Sequence, residues 1–366
     1  MSVAATDERR DWISVPQERV VERLTEVPML ERHAAFAAPK DPTIHRRLFD
    51  RFHALREIEA GGVAPRREAL EGAARILCWN VERLRHLDAV EAVLRQEGAD
   101  IALLSEVDRG MARSGNRDCI AELSDRLHQP YVFAVEFVEL DLGDLREKLA
   151  HAGESNRDGL HGAALIGDVA LRRPFLIRIE ARGDWFDGSR HEPRVGGTIA
   201  LGGQIEVAGK AVTLVNVHLE SHGDPEERAG DVRRLLEMVD TYDGNAPVLI
   251  GGDFNTSCLT RADRRDGKRP WRERMAQQAD LLLRPHRAEP LFTVLAEAGY
   301  DGQACNVPDV PTTRYADERA AEPRTKLDWF FTRGLEASAP KIIPALAAHG
   351  TPISDHDALA VTIRPR

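Results

Sequence analysis

Residues 248–255 read Val248-Leu249-Ile250-Gly251-Gly252-Asp253-Phe254-Asn255. The apolar triplet predicts a short strand buried on both faces. It runs through two glycines into a polar tail, so a carboxylate and an amide emerge where a rigid strand stops. That is where a scaffold presents side chains to a cleft.

The arrangement recurs along the chain. Asn80 follows Ile76-Leu77-Cys78-Trp79, Glu106 follows Leu103-Leu104-Ser105, and His218 follows Val215-Asn216-Val217. Asp328 lies within Lys326-Leu327-Asp328-Trp329-Phe330-Phe331, and Asp355-His356 precede Ala358-Leu359-Ala360-Val361. Helices are expected between these strands. One runs from about His86 to Glu97 and is closed by Gly98; another covers about Cys119 to Leu127. Asp224-Pro225-Glu226-Glu227 opens the clearest helix, with Asp224 as cap, Pro225 in the first position and Glu227 at the capping-box place. Residues 198–217 read as a β-meander turned by Gly202-Gly203 and by Gly209-Lys210. Strands alternating with helices make residues 75–366 an α/β domain.

Residues 1–74 are close to charge-neutral and read as a helical N-terminal extension. Val20, Val21 and Leu24 share one face of a helix expected over residues 16–24. A second helix is expected to start at Asp41-Pro42, bury Ile44, Leu48, Phe52 and Leu55, and stop at Gly61-Gly62.

Composition narrows the function. The chain has 366 residues, a net charge of −10 and 42% hydrophobic residues. No apolar run approaches the roughly 18 residues that a membrane span needs. The polar start, Met1 to Trp12, predicts no signal peptide. The four cysteines are scattered without a C-x-x-C pair, which argues against structural zinc and disulfides and fits a cytoplasmic protein. The acidic total does not point to nucleic acid, but residues 259–287 carry nine Lys+Arg against four Asp+Glu, with Trp271 among them. A basic loop with an aromatic residue guides polyanions and stacks on bases.

The residues at the strand ends suit one chemistry. Asp, Glu and Asn are hard oxygen ligands for Mg2+ or Mn2+. Histidines transfer protons near neutral pH. Together they fit metal-assisted displacement at phosphorus.

In this order the segments Cys78-Trp79-Asn80, Leu104-Ser105-Glu106-Val107-Asp108, Asn216-Val217-His218-Leu219, Gly252-Asp253-Phe254-Asn255, Leu327-Asp328-Trp329-Phe330 and Ser354-Asp355-His356 resemble the endonuclease/exonuclease/phosphatase superfamily. The resemblance implies a four-layer sandwich of two packed β-sheets flanked by helices, and a Mg2+-dependent phosphoesterase. It implies metal ligation by Glu106 with Asn80, and Asp355 near the metal. Asp253 would orient or deprotonate the attacking water, Asn255 would hold the phosphate, and His356 would contact it, made imidazolium-like by Asp328. His218 matches the second histidine of the deoxyribonuclease, sphingomyelinase and inositol-phosphatase branches. Asn216 joins Arg264, Arg265 and Arg269 as substrate contacts. The usual Asn and Ser-Arg of a further strand are absent from His161-Gly162-Ala163-Ala164-Leu165-Ile166-Gly167-Asp168, which leaves a substrate contact there open.

Bland alternatives stand beside these roles. Asn80 or Asn255 could only shape turns, and Asp328 could pair with Arg324. Three functions compete: a nuclease-like phosphodiesterase, a phosphatase or phosphodiesterase of small or lipid phosphates, and a binding protein that keeps the fold without catalysis. The expected partner is a phosphate ester, nucleic acid included. No membrane anchor is expected, and nothing identifies a protein partner.

Overall fold

A computed structural model of the chain describes residues 15–188, 191–265, 273, 275–315 and 323–366. In order it forms β1 (Val20–Val21), α1 (Met29–Ala37), α2 (Pro42–Arg51), β2 (Ile58–Gly61), β3 (Ala74–Arg83), α3 (Leu87–Glu97), β4 (Ile101–Arg109), α4 (Cys119–Leu127), β5 (Tyr131–Glu139), α5 (Leu145–Ala150), β6 (Leu160–Gly167) and β7 (Arg172–Arg178). There follow β8 (Arg194–Gly196), β9 (Ile199–Val207), β10 (Lys210–His218), α6 (Pro225–Asp243), β11 (Val248–Asp253), α7 (Arg261–Arg265), α8 (Ala279–Leu283), α9 (Leu291–Glu297), β12 (Asp328–Arg333), β13 (Leu335–Ile343) and β14 (Ala358–Pro365).

Two sheets result. One runs β1-β2-β5-β6-β4-β3-β14-β13 with β8 added on β5; the other runs β12-β11-β10-β9-β7. Because side chains alternate across a strand, each strand feeds two cores. Ile76 and Cys78 of β3, with Leu103 of β4 and Leu249 of β11, fill the space between the sheets. Leu77 and Trp79 face outward onto Val90 and Leu94 of α3 and Leu123 of α4. Val248 and Ile250 face Val232, Leu235 and Val239 of α6 and Leu291 and Leu295 of α9. The architecture is an α/β/β/α four-layer sandwich. No helix among the described residues is long and apolar enough to cross a membrane.

Local rules hold well around these helices. Gly98 closes α3 in the left-handed conformation, and α6 starts with the full Asp224/Glu227 capping box. Asp41 accepts from Thr43 N and Ile44 N to cap α2.

Three expectations fail. Residues 16–24 do not form a helix: the β-branched pair Val20-Val21 lies parallel to Ile58-Glu59 at a sheet edge. Glu59 Oε2 takes the Leu24 N–H at 2.9 Å and Glu57 Oε2 takes that of Thr25 at 2.7 Å. The second helix ends at Arg51 rather than at Gly61-Gly62, because Ile58–Gly61 pairs with β5 as a strand. Gly202-Gly203 is not a turn but the middle of the continuous strand β9. A Cβ on Gly202 would sit 2.3 Å from Phe175 Cζ and 2.6 Å from the Leu214 carbonyl oxygen, so the residue is glycine for close approach. Gly209 does turn the chain, with Ala208 and Gly209 both at positive φ.

Gly202→Ala should therefore destabilise the protein by about 1–3 kcal/mol through overpacking. Urea unfolding checks this; wild-type stability would show that Phe175 and β10 yield freely.

Candidate active site

The register of the smaller sheet builds half of the site. Across the β10–β11–β12 ladders His218 pairs with Asp253 and Asp253 pairs with Asp328. Gly252 permits this spacing: a Cβ there would lie 1.8 Å from the Val217 carbonyl oxygen. The larger sheet supplies Asn80 and Glu106 from the parallel pair β3–β4. The ladder is irregular at this end, and Glu106 takes a positive φ of 57°. Strain of this kind is concentrated at functional sites.

The last motif is clamped onto the first. Trp79 Nε1 donates to the His356 carbonyl at 2.7 Å, and Ser354 Oγ donates to the Asn80 carbonyl at 2.7 Å. His356 N donates in turn to Ser354 Oγ at 3.1 Å. Trp79 thus both packs and holds the backbone of His356.

Two acid–imidazole pairs converge on Asp253. His356 Nδ1 lies 2.8 Å from Asp328 Oδ2, and its Nε2 lies 3.7 Å from Asp253 Oδ2. His218 Nδ1 lies 3.0 Å from Glu136 Oε2, and its Nε2 lies 3.9 Å from the same Asp253 oxygen. Arg324 pairs with Asp357, not with Asp328. Burial lowers both imidazole pKa values, but the carboxylates outweigh it: His218 is pushed up to about 10, chiefly by Glu136, and His356 well above its ordinary value, chiefly by Asp328. Burial raises the Asp253 carboxyl to about 6 against the opposing pull of His356.

Asn80 joins the halves. Its Nδ2 donates to Glu106 Oε1 at 3.0 Å and lies 3.2 Å from Asp253 Oδ2. Its Oδ1 also accepts from Glu82 N at 3.2 Å, so Asn80 shapes a turn as well. Glu106 Oε2 is ion-paired with Arg83. Burial favours the protonated Glu106, but Arg83 and then His218 hold its carboxyl well below the usual range. Asp355 Oδ1 lies 4.0 Å from His356 Nε2, and its N–H donates to Glu82 Oε2 at 3.1 Å. Burial, then Asp355, raises the Glu82 carboxyl to about 7.

Among the described residues, one place gathers three possible ligands for a cation. Asp253, Asp328 and His356 present ligand atoms within 4.8 Å of one another. Asp328 Oδ2 and His356 Nδ1 already satisfy each other there. On the other side Asn80 turns its Nδ2 toward Glu106, Glu106 is paired with Arg83, and the Asp355 backbone N–H donates to Glu82.

Other expected contacts are placed differently. Asn216 is 1% exposed, donates from Nδ2 to the Leu104 carbonyl at 2.8 Å and accepts from Ser105 Oγ at 3.2 Å. It ties β10 to β4 instead of lining a cleft. Asn255 donates from Nδ2 to the Leu219 carbonyl at 2.7 Å, and its N–H closes a turn on Asp253 Oδ1 at 2.9 Å. The helical backbone of Arg264 and Arg265 is described, but their side chains and the whole of Arg269 lie outside the described residues. Arg261 in the same basic segment pairs with Glu227 and Asp184.

Sequence reasoning misses Glu136, Glu82 and Arg83. Glu136 is legible in hindsight as a carboxylate inside an apolar strand, 2% exposed. Glu82 and Arg83 have no periodic signal, because Glu82, Arg83 and Leu84 all take positive φ.

Removing one partner of a buried ion pair costs about 3–5 kcal/mol. Glu136→Gln should lose stability on this scale, with a definite pH dependence. The folded pKa of His218, about 10, exceeds its ordinary 6.5. Its contribution is complete below pH 6.5 and is lost as pH rises toward 10. Thermal melts should show the largest gap between variant and wild type at pH 6.5 and a narrowing gap toward pH 10; a constant gap would contradict the pairing.

Residues 77–356 match a family model described as Endonuclease/Exonuclease/phosphatase family. Compared with curated proteins by sequence, the chain has no match. It is similar to the solved structure of an endonuclease/exonuclease/phosphatase from Beutenbergia cavernae DSM 12333, at 17% identity, 80% of this chain, 72% of that chain and a TM-score of 0.51. It is similar to the human Nocturnin catalytic domain with bound sulfate anion, at 15% identity, 84% of this chain, 98% of that chain and a TM-score of 0.51. A Bacteroides vulgatus endonuclease/exonuclease/phosphatase gives 15% identity, 80% of this chain, 99% of that chain and a TM-score of 0.51. At these identities the likeness concerns the fold.

Proposed function

The chain belongs to the endonuclease/exonuclease/phosphatase family, and from that premise we propose that it is a Mg2+-dependent hydrolase of phosphodiester bonds. The observation that carries this reading is the convergence of the His356 and His218 Nε2 atoms on Asp253 Oδ2, at 3.7 and 3.9 Å. Two imidazoliums beside one carboxylate suit an anionic ester and an attacking water.

Each residue then has one task. Asp253 orients the water and takes its proton. The oxygen of that water forms the new bond to phosphorus as the ester P–O bond breaks. An imidazolium Nε2–H protonates the departing oxygen, and the other imidazolium neutralises the phosphate. Asp328 and Glu136 keep both rings charged and oriented. Glu106, Asn80 and Asp355 would hold the metal, with Glu82 beside them. When bound, the metal supplies charge neutralisation at the phosphate oxygens.

A second reading, hydrolysis of a small or lipid phosphate, is favoured by the pairing of Arg261, Arg284 and Arg287 with carboxylates. These pairs reduce the positive charge that residues 259–287 offer a polyanion. The four thiols, Cys78, Cys119, Cys258 and Cys305, form no disulfide, which supports a cytoplasmic setting.

Nicking of supercoiled plasmid DNA tests the proposal. With Mg2+ the wild-type protein should nick, and EDTA or His356→Ala should abolish nicking. Asp253→Asn should lower kcat by roughly a hundred- to ten-thousandfold, with an unchanged circular dichroism spectrum. EDTA-insensitive nicking would overturn the metal requirement. No nicking, with turnover of a small phosphate ester, would favour the second reading.

A further inference from the structure

Beside His218 the chain holds an ordered aromatic cluster that the chemistry above does not use. His222 N–H donates to Glu220 Oε1 at 2.9 Å, and His222 Nδ1 lies 2.9 Å from Ser221 Oγ. Its ring meets that of Trp185 at 5.3 Å and 88°. Trp185 is fixed as well. Its indole N–H donates to Glu220 Oε2 at 2.7 Å, and the Arg194 guanidinium lies 3.7 Å over its ring. Arg194 also covers Phe137 at 4.0 Å and pairs with Glu139 and Glu192. Trp185, Arg194 and Glu220 are buried, whereas the His222 side chain keeps 44% of its exposure.

This cluster is joined to the reaction centre from two sides. Leu219 N donates to the Asp253 carbonyl at 2.9 Å, and the Leu219 carbonyl accepts from Asn255 Nδ2 at 2.7 Å. The loop carrying His222 therefore leaves β10 after His218 and is pinned at its first residue to the end of β11, which carries Asp253. Phe137 directly follows Glu136, the partner of His218.

A surface histidine needs no such support. Bracing accounts for Trp185 and Arg194, since their contacts with Phe137 and Glu139 join them to β5. It does not account for the two contacts that the half-exposed imidazole itself makes, with Ser221 Oγ and with the Trp185 ring. Held aromatic rings beside a phosphate site are the means by which proteins stack planar bases, and stacking tolerates any base because each has a π-face. The basic segment begins on the same rim: Arg261 pairs with Asp184, the neighbour of Trp185. An aromatic platform next to positive charge matches a nucleotide better than a lipid or sugar phosphate, which has no π-face.

We propose that His222, backed by Trp185, is the stacking platform for a nucleobase flanking the scissile phosphate, which makes nucleotide phosphodiesters the substrate class. This rests on the phosphodiesterase reading above. Arg194, Glu220 and Trp185 are positioning residues that hold the ring.

The test uses the full chain with Mg2+ and two substrates, a deoxydinucleotide and its analogue in which one base is replaced by hydrogen. Wild type should prefer the dinucleotide by roughly tenfold or more. His222→Ala should lose most of that preference through KM, falling further on the dinucleotide than on the abasic analogue. His222→Phe keeps an aromatic ring and should restore the preference, which an acid–base or purely structural role of the imidazole would not allow. An unchanged preference in His222→Ala, or no rescue by Phe, would overturn the platform. Equal cleavage of both substrates by wild type would overturn it too, while leaving phosphodiester hydrolysis standing. Cleavage of neither by wild type would overturn the phosphodiesterase reading and the platform with it.

Discussion

The site depends on a polar clasp between two apolar sheets. Asn216 spans from β10 to β4, donating to the Leu104 carbonyl and accepting from Ser105 Oγ. It sits two residues before His218, and the strand it grips leads directly into Glu106. Apolar contacts between the sheets, such as those of Leu103, Leu249 and Phe330, have no direction, so this amide acts with the Asn80–Asp253, His218–Glu136 and Arg178–β5 contacts to set the alignment. Together they fix the offset, and with it the approach of Glu106 and Asn80 to Asp253. An unpaired amide at that depth would be costly, so the clasp holds only in one alignment.

Charge is organised around the same point. Asp253, Asp328 and Glu136 are buried carboxylates and Glu106 is half-buried; each has a cationic neighbour: Arg83 for Glu106, His356 for Asp328, His218 for Glu136 and both imidazoles for Asp253. Buried pairs of this kind add little net stability, because desolvation offsets their attraction. Their effect is to keep the His218 and His356 rings charged at neutral pH, a state that a free imidazole would mostly not keep. Arg83, paired with Glu106, lies in a left-handed stretch from Glu82 to Leu84, at a cost of roughly 1–2 kcal/mol per residue. The packing at this end of β3 must over-determine that turn.

The fold was legible where physics is local. Apolar runs such as Val248-Leu249-Ile250 and the Asp224 capping box give strands and a helix with nearly correct bounds, because their determinants lie within a few residues. Most positions of the candidate site were legible because polar residues end buried strands. Tertiary partners were not. Nothing near Val20-Val21 says that β2 awaits them, so helical spacing misleads. Gly202-Gly203 looks like a turn because sequence shows the missing Cβ but not the Phe175 ring that requires it. Glu136 pairs with a histidine 82 positions away, a distance that no local pattern spans. Asn216 is expected as a substrate contact, whereas its place between β10 and β4 depends on a sheet that the motif does not contain.

The central claim is that two imidazoliums face Asp253 at neutral pH. The most direct measurement is a pH titration of the histidine side chains by nitrogen-15 NMR, with His218→Gln and His356→Gln used for assignment. The account predicts that both rings stay doubly protonated at neutral pH and that His218 loses its proton only near pH 10. A His218 ring that titrates near its ordinary 6.5 would contradict it.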